Sequence, residues 1–172
     1  MKRYLGLDPG LSGAIAVLTV HDNNDAETWF SPFPTIENEI DFVTLRKLFS
    51  TFGDCFAVLE RVHSMPKQGI SSAFRFGRVF ASLQTCLHIF QIEHIEVTPQ
   101  KWQKEFHEGI AKDLDPKARS LIAVQRLFPH ANLLATERSK KPHDGYVDAL
   151  LLAEYGRRKT FSLMTQNLVV IK

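Results

Sequence analysis

Cysteine is scarce in this sequence, and long apolar runs are missing from it. Cys55 and Cys86 are the only cysteines, and they lack metal-finger spacing, which favours buried reduced thiols in a cytoplasmic protein. No apolar stretch approaches the ~20 residues that a membrane span needs, and the first residues lead straight into a strand-like segment. We therefore expect no membrane association and no signal or transit peptide. Repeats and linker-like tracts are also lacking, so we expect residues 1–172 to form a single domain.

The charge of the chain is unevenly distributed, although the net charge is only +2. Residues 1–60 contain 4 Lys and Arg against 9 Asp and Glu, whereas residues 61–172 contain 17 against 10. An excess of positive charge in one part of a protein is compatible with a polyanionic partner, and it is equally compatible with an ordinary solvated surface. Charge alone therefore does not predict nucleic-acid binding here.

Hydrophobic periodicity predicts the element order β-β-β-α-β-α-β-α-α-α. The predicted strands cover residues 3–7, 14–20, 27–33, 55–59 and 93–97. The predicted helices cover residues 38–50, a segment from Ser71 or Ser72 to about 90, a short segment after Thr98, residues 116–127 and residues 143–158. A hairpin meander followed by strand–helix alternation predicts one mixed α/β sheet flanked by helices. The tail, residues 160–172, either adds an edge strand at 168–171 or docks on a partner.

Four carboxylates lie where a predicted strand ends or a predicted helix begins. Asp8 closes the first strand, Glu60 closes the fourth, and Asp144 and Asp148 open the last helix, where their spacing of four puts them on one face. Acids at the tips of apolar strands need a cation or another polar partner. Several tips in one sheet would gather negative charge that a divalent metal offsets, as in two-metal phosphodiester cleavage.

Each acid also has a simpler explanation. Asp8 could simply form the turn in Asp-Pro-Gly, and Glu60 could form an ion pair with Arg61. Asp144 suits the positive end of a helix dipole, and Asp148 could simply be exposed to solvent. His143 is open to three interpretations: a further metal ligand, a proton carrier, or a helix cap. Lys117 lies near the start of a predicted helix, where the helix dipole disfavours a cation. This position indicates a role in binding phosphate.

The ordered set of motifs resembles the RuvC-like Holliday-junction resolvases of the RNase H-like superfamily, in particular their phage-type branch. The matching segments are Leu5 to Gly13, Val58 to Glu60, Ser72 to Arg78, Thr98 to Trp102, Asp115 to Ser120, and His143 to Leu150. They cover nearly the whole chain in order.

The resemblance implies an RNase H-like mixed five-stranded sheet, a homodimer, and a magnesium-dependent endonuclease that resolves four-way DNA junctions by paired nicks in recombination, repair or phage DNA processing. The implied cofactor is two Mg²⁺ ions, with Mn²⁺ as a substitute. The implied metal ligands are Asp8, Glu60, Asp144 and Asp148, with His143 as a further candidate, and Lys117 is implied as a catalytic residue beside the scissile phosphate. The residues expected to bind DNA are Arg75, Arg78, Lys112, Lys117, Arg119, Lys140 and Lys141.

The sequence departs from the family pattern in two places. Many relatives place the two late acids three residues apart, whereas here Gly145 occupies that position and the acids are four apart. The stretch from His63 to Pro66 stands where the bacterial enzymes have an aromatic wedge.

The sequence leaves other functions open. A related nuclease acting on flaps or RNA–DNA hybrids would use the same acids. A junction-binding protein without catalytic activity is a second alternative. A sugar-kinase-like or actin-like ATPase is a third, suggested by the turn from Asp8 to Gly13, but 172 residues do not supply its two domains.

Overall fold

The computed structural model describes residues 1–9, 13–23, 25–61 and 69–169, with side chains up to residue 161. Gly10, the stretch from His63 to Pro66, and the last three residues of the tail lie outside this part of the chain.

A mixed five-stranded sheet forms the centre of the molecule. The strands in chain order are β1 (Lys2–Asp8), β2 (Ala14–Val20), β3 (Ala26–Pro32), the short β4 (Thr35–Ile36) and β5 (Glu39–Ile40), β6 (Cys55–Glu60) and β7 (Glu93–Val97). The main sheet has the order β3-β2-β1-β6-β7, and β4 and β5 form a separate small hairpin. β1 to β3 are an antiparallel meander, while β1, β6 and β7 run parallel. The predicted mixed five-stranded α/β architecture is thereby confirmed.

In the described part of the chain, five helices flank the sheet: α1 (Phe42–Phe52), α2 (Ile70–Ile89), α3 (Pro99–Phe106), α4 (Pro116–Leu127) and α5 (Asp144–Val169). One core contains Leu5, Leu7, Ala57 and Leu59 with residues of α1 and α2. The other contains Tyr4, Val58 and residues of α3, α4 and α5. The sheet is therefore the middle of three layers, and successive strand residues alternate between the two cores. No helix in the described ranges is long and apolar enough to cross a membrane.

Three predicted boundaries are wrong. The first helix begins at Phe42 rather than 38, because Asp41 caps it by accepting hydrogen bonds from the amides of Val43 and Thr44, and Val43 is exposed rather than buried. The second helix begins at Ile70 with Gly69 at its cap, not Ser71 or Ser72. The last helix ends at Val169 rather than at 158, so residues 168–169 lie in α5 and the edge-strand alternative is wrong for them.

The helix α5 crosses β1 at unusually close range, because Gly6 has no side chain. A Cβ atom at Gly6 would lie 1.8 Å from the carbonyl oxygen of Ala149 and 2.7 Å from the amide nitrogen of Ala153. At Gly156 a Cβ would lie 2.8 Å from Cγ2 of Val58. Small residues at this crossing let the helix lie directly on the strands, and nearly every side chain from Tyr146 to Tyr155 is buried.

The substitution Gly6→Ala should destabilise the fold by about 3 kcal/mol or more, since backbone atoms of α5 cannot move aside without shifting the helix. The matched control is Gly77→Ala on α2, where an added Cβ meets nothing within 4 Å and a helix former replaces glycine. Urea unfolding of both variants measures the effect. Equal midpoints for the two variants would contradict the close crossing.

Candidate active site

Strand register brings Asp8 and Glu60 together at one end of the sheet. The parallel pairing of β1 with β6 runs from Arg3 opposite Cys55 to Leu7 opposite Leu59, so the next residue of each strand is one of the two acids. Tyr4 and Val58 lie in the core beneath α5, and residues at even spacing from them point the same way. Asp8 and Glu60 therefore share the face of the sheet that α5 covers.

The first turns of α5 carry the other two acids to the same place. Asp148 precedes Ala149, whose carbonyl lies against Gly6, two residues before Asp8 in the first strand. Asp144 lies one turn earlier on the helix. The structure thus gathers carboxylates from three separate segments of the chain at the carboxyl ends of two parallel strands.

Asp148 has a strongly raised pKa. Burial raises its pKa to about 7, and the neighbouring charge of Asp8 contributes to the rise, as does that of Asp144. A hydrogen bond from the Ser120 hydroxyl and the positive charge of Lys117 act in the opposite direction but do not compensate. The ionised form of Asp148 consequently lacks sufficient positive charge around it.

Glu60 is in a similar position. Burial raises its pKa to about 7, against a hydrogen bond from Trp102, and the charge of Asp148 contributes to the rise. Nε1 of Trp102 donates to Oε1 of Glu60 at 2.8 Å. The Arg61 ion pair considered from the sequence is not among the salt bridges of the described residues, and the buried carboxylate is held by a neutral donor instead.

Lys117 contacts the exposed member of the group rather than the buried ones. Its Nζ lies 2.5 Å from Oδ2 of Asp144, and this contact raises the pKa of Lys117 above its ordinary value. Both side chains are more than half exposed, so the pair is accessible to a ligand. With Lys141 and Asp148 they line a cavity of about 330 Å³ at the start of α4 and α5.

His143 faces a second cavity, of about 270 Å³, which Pro9, Gly13 and Arg75 also line. Its ring contacts Tyr146 with centroids 4.5 Å apart, and its Nδ1 is buried without a hydrogen-bond partner among the described residues. A buried nitrogen in that condition is a candidate metal ligand. His143 and Asp144 therefore open towards different cavities, although they are adjacent in sequence.

The donor set suits a hard divalent cation, although the side chains are not closed around one. In the described part of the chain, no three His, Cys, Asp or Glu side chains are grouped as ligands of a single ion. Carboxylates without a cation between them repel one another, and the Asp144 carboxylate is paired with Lys117 instead. Carboxylate oxygens are the ligands that Mg²⁺ prefers, and Mn²⁺ also accepts an imidazole nitrogen.

Five of the seven residues expected to bind DNA line three cavities, and two lie elsewhere. Lys117 and Lys141 line the cavity beside the acids, and Arg75 lines the second cavity. Lys112 and Arg119 line a third cavity, of about 490 Å³, together with Lys104. Arg78 instead forms an ion pair with Glu39 of the small hairpin, and Lys140 is exposed. The structure thus groups only part of the predicted set around the acids.

Sequence reasoning missed the polar residues that support the acids. Trp102 and Ser120 each hydrogen-bond to a buried carboxylate, and Nε2 of His107 lies 3.1 Å from Oγ of Ser120. One signal for Ser120 was its spacing from Lys117, which puts both on one side of α4. Nothing in the sequence pairs Trp102 with Glu60, because 42 residues separate them.

Comparison with solved structures gives a consistent fold. Thermus thermophilus RuvC is similar with a TM-score of 0.58 and 14% identity, and its complex with a Holliday junction substrate with 0.56 and 13%; each comparison covers 87% of this chain and 89% of the other. The yeast mitochondrial Holliday junction resolvase Ydc2 is similar with a TM-score of 0.57 and 14% identity, covering 88% and 76%. Neither a protein-family model nor a curated protein matches the chain. The resemblance to RuvC-like resolvases expected from the sequence is confirmed at the level of the fold.

The raised pKa of Asp148 predicts how stability varies with pH in the absence of divalent ions. In the unfolded chain this carboxyl loses its proton near the ordinary aspartate pKa of 3.8, whereas in the folded protein it keeps the proton to about pH 7. The folded state therefore binds more protons between these values, and its free energy of unfolding falls as pH rises from about 4 to about 7. Asp148→Asn should remove part of that fall, so that the variant gains about 2 kcal/mol relative to wild type between pH 5 and pH 8.

Urea unfolding in EDTA at several pH values measures this difference. Asp113→Asn, at an exposed acid distant in sequence from the four carboxylates, should follow the wild-type profile. Parallel profiles for wild type and Asp148→Asn would show that this carboxylate is ionised in the folded protein at neutral pH.

Proposed function

We propose that the protein is a divalent-metal-dependent endonuclease that resolves four-way DNA junctions by paired nicks. The observation that carries the proposal is the convergence of Asp8, Glu60 and Asp148 on one face of the sheet, with Asp148 and Glu60 perturbed by burial and by neighbouring charge. Perturbed acids in a cleft are typical of catalytic sites. The solved structures that share this fold include RuvC bound to a Holliday junction substrate and a mitochondrial Holliday junction resolvase, which supports the same substrate for this chain.

The four acids would hold the cofactor, which we infer to be two Mg²⁺ ions with Mn²⁺ as a substitute; His143 supplies an additional nitrogen. When bound, such ions lower the pKa of water and stabilise the charge of the leaving oxygen. The protein contributes the fixed positions of Asp8 and Glu60 on adjacent strands and of Asp148 on α5, and the close crossing of α5 over β1 restricts how much solvent reaches them.

Lys117 would act as the counter-charge for the scissile phosphate. In the absence of substrate its ammonium is paired with Asp144. With Asp144 engaged as a metal ligand, the Lys117 ammonium would be free to face the cavity that it shares with Lys141. There it would contact the phosphate through a charge-assisted hydrogen bond.

The DNA backbone would extend from this cavity towards the third one. Lys104, Lys112 and Arg119 line that cavity with only one acid, Glu108, among its lining residues. Positive side chains placed along a path of this kind bind phosphates without reading sequence, so affinity should fall steeply with salt.

Paired nicks require two active sites, and α2 provides a surface for a second copy. Ile70 and Phe74, near the start of the helix, are 90% and 70% exposed, and Gly77 has open space above it. An apolar stripe of this kind on an exposed helix face is a candidate for pairing between two copies, and we infer a homodimer.

The catalytic proposal is tested by cleavage of a four-way junction in Mg²⁺. Asp8→Asn and Asp148→Asn should each reduce kcat at least about 100-fold with little loss of junction affinity, because each removes a ligand charge but no phosphate contact. Asp113→Asn, at an exposed acid outside the group of four, is the matched control and should cleave normally. Cleavage of flap and RNA–DNA hybrid substrates is measured in parallel with cleavage of the junction.

If the protein cleaved the hybrid or the flap faster than the junction, its activity would be that of another RNase H-like nuclease and not junction resolution. Tight junction binding by wild type without cleavage in Mg²⁺ or Mn²⁺ would favour a purely binding role. Full activity of Asp8→Asn would exclude the acids as the catalytic group.

The dimer is tested separately by light scattering after gel filtration. Phe74→Glu should convert a dimer to a monomer, because it puts a charge in the apolar stripe, whereas Val43→Glu on α1, also exposed at 65%, should leave the mass unchanged. A wild-type monomer, both alone and on junction DNA, would contradict the pairing through α2.

A further inference from the structure

A small cluster of buried polar side chains lies between α3, α4 and the acids. Among the described residues, the buried polar or charged side chains are Asp8, His107, Ser120 and Glu154. Three of these four belong to the candidate site or its immediate support. Burying a hydroxyl and an imidazole is unfavourable unless both are hydrogen-bonded, so their arrangement is informative.

The hydrogen bonds of this cluster have a defined direction. When Asp148 is ionised, as the proposed ions would require, its carboxylate only accepts, so the Ser120 hydroxyl is the donor in the interaction that lowers the pKa of Asp148. The oxygen of Ser120 is then an acceptor for Nε2 of His107, 3.1 Å away. Burial and then the charge of Arg119 lower the pKa of His107, which keeps the ring neutral. The network therefore assigns the proton of this neutral ring to Nε2.

A second support reaches Glu60 from the same helix pair. The indole of Trp102 is fully buried on α3, and its nitrogen, which only donates, bonds to Oε1 of Glu60 at 2.8 Å. The rings of Trp102 and His107 lie edge-on with centroids 6.2 Å apart. Nη2 of Arg119 also donates to the carbonyl oxygen of His107, so α3, its loop and α4 are linked.

We propose that Trp102, Ser120 and His107 are positioning residues that orient the carboxylates of Glu60 and Asp148 for divalent-ion binding. One donor bond to a carboxylate fixes which oxygen faces the ion, and outer partners of this kind typically change metal affinity about 10–100-fold. His107 acts through Ser120, since it holds the hydroxyl in the rotamer that points to Asp148. The proposal rests on the proposed function for its cleavage readout and not for its metal-binding readout.

The experiment measures Mn²⁺ binding by calorimetry on the full chain, without DNA. Ser120→Ala and Trp102→Phe, which remove donors while keeping most of the packing, should each weaken Mn²⁺ binding about tenfold. His107→Leu should resemble Ser120→Ala, whereas His107→Gln, whose amide retains a donor near the position of Nε2, should stay within about twofold of wild type.

Matched controls use the same residue types at positions away from the acids. Ser50→Ala on α1, Trp29→Phe on β3 and His130→Leu after α4, all at exposed side chains, should bind Mn²⁺ as wild type does. Thermal unfolding in EDTA accompanies each variant. In junction cleavage measured over a range of DNA concentrations, Ser120→Ala should lower kcat at fixed Mg²⁺ and leave KM unchanged, and raised Mg²⁺ should restore kcat.

Wild-type Mn²⁺ affinity in Ser120→Ala and Trp102→Phe would overturn the proposal. Losses of Mn²⁺ affinity that simply follow losses of thermal stability would also overturn it. Equal Mn²⁺ affinities of His107→Leu and His107→Gln would overturn the role proposed for His107. If wild type binds Mn²⁺ tightly but does not cut junctions, the proposed function fails while the titrations still decide the positioning roles. If wild type cleaves and the variants match it in both assays, the positioning roles fail and the function stands.

Discussion

The close crossing of α5 over β1 is the contact on which the rest of the site depends. Helix axes normally lie about 10 Å from a sheet because side chains separate the two. Here Gly6 and Gly156 remove that separation at two points, and Ala149 and Ala153 occupy the helix side of the first. The helix therefore lies low enough that Asp148, at its first turns, reaches the level of the acids at the ends of β1 and β6. A bulkier residue at Gly6 would lift the helix and separate the carboxylates even if every acid were retained.

The same packing creates an electrostatic cost that the protein only partly offsets. Burial shifts Glu60 and Asp148 towards their protonated forms, and a neighbouring carboxylate raises the pKa of each further. Trp102 and Ser120 supply neutral donors that favour the ionised forms, but Lys117, the nearby cation, is committed to the exposed Asp144. Among the described residues, the side chain that bonds to Glu60 is thus a neutral donor rather than a cation, and the proposed divalent ions would offset the charge of the buried acids.

The parts of the fold that were predictable from the sequence are those set by local periodicity. Apolar runs along residues 3–7 and 55–59 identified both central strands, and their shared ends followed from parallel pairing. The first helix was placed too early because Ile40 fits a helical pattern, whereas Glu37 and Asn38 adopt positive φ and turn the chain into a hairpin. That turn contains no glycine, which is the residue that usually indicates a positive φ in a sequence. The hydrogen bond from Trp102 to Glu60 could not be predicted either, because it depends on where α3 lies relative to β6.

The acids lie far apart in the sequence, so their protonation and the binding of the proposed metal ions should both depend on folding of the whole chain. Asp8, Glu60 and Asp148 come from the two central strands and the last helix, so no short fragment of the chain brings them together. Burial raises the pKa of both Glu60 and Asp148 to about 7, so at neutral pH a divalent cation of the kind proposed would compete with protons for the same oxygens. Such a cation would bind the folded state and not the dispersed acids of the unfolded chain, and it would therefore stabilise the fold. Among the described residues, Lys117 is paired with the exposed Asp144, whereas the buried Glu60 accepts from the neutral indole of Trp102, and this arrangement differs from a structural ion-pair network.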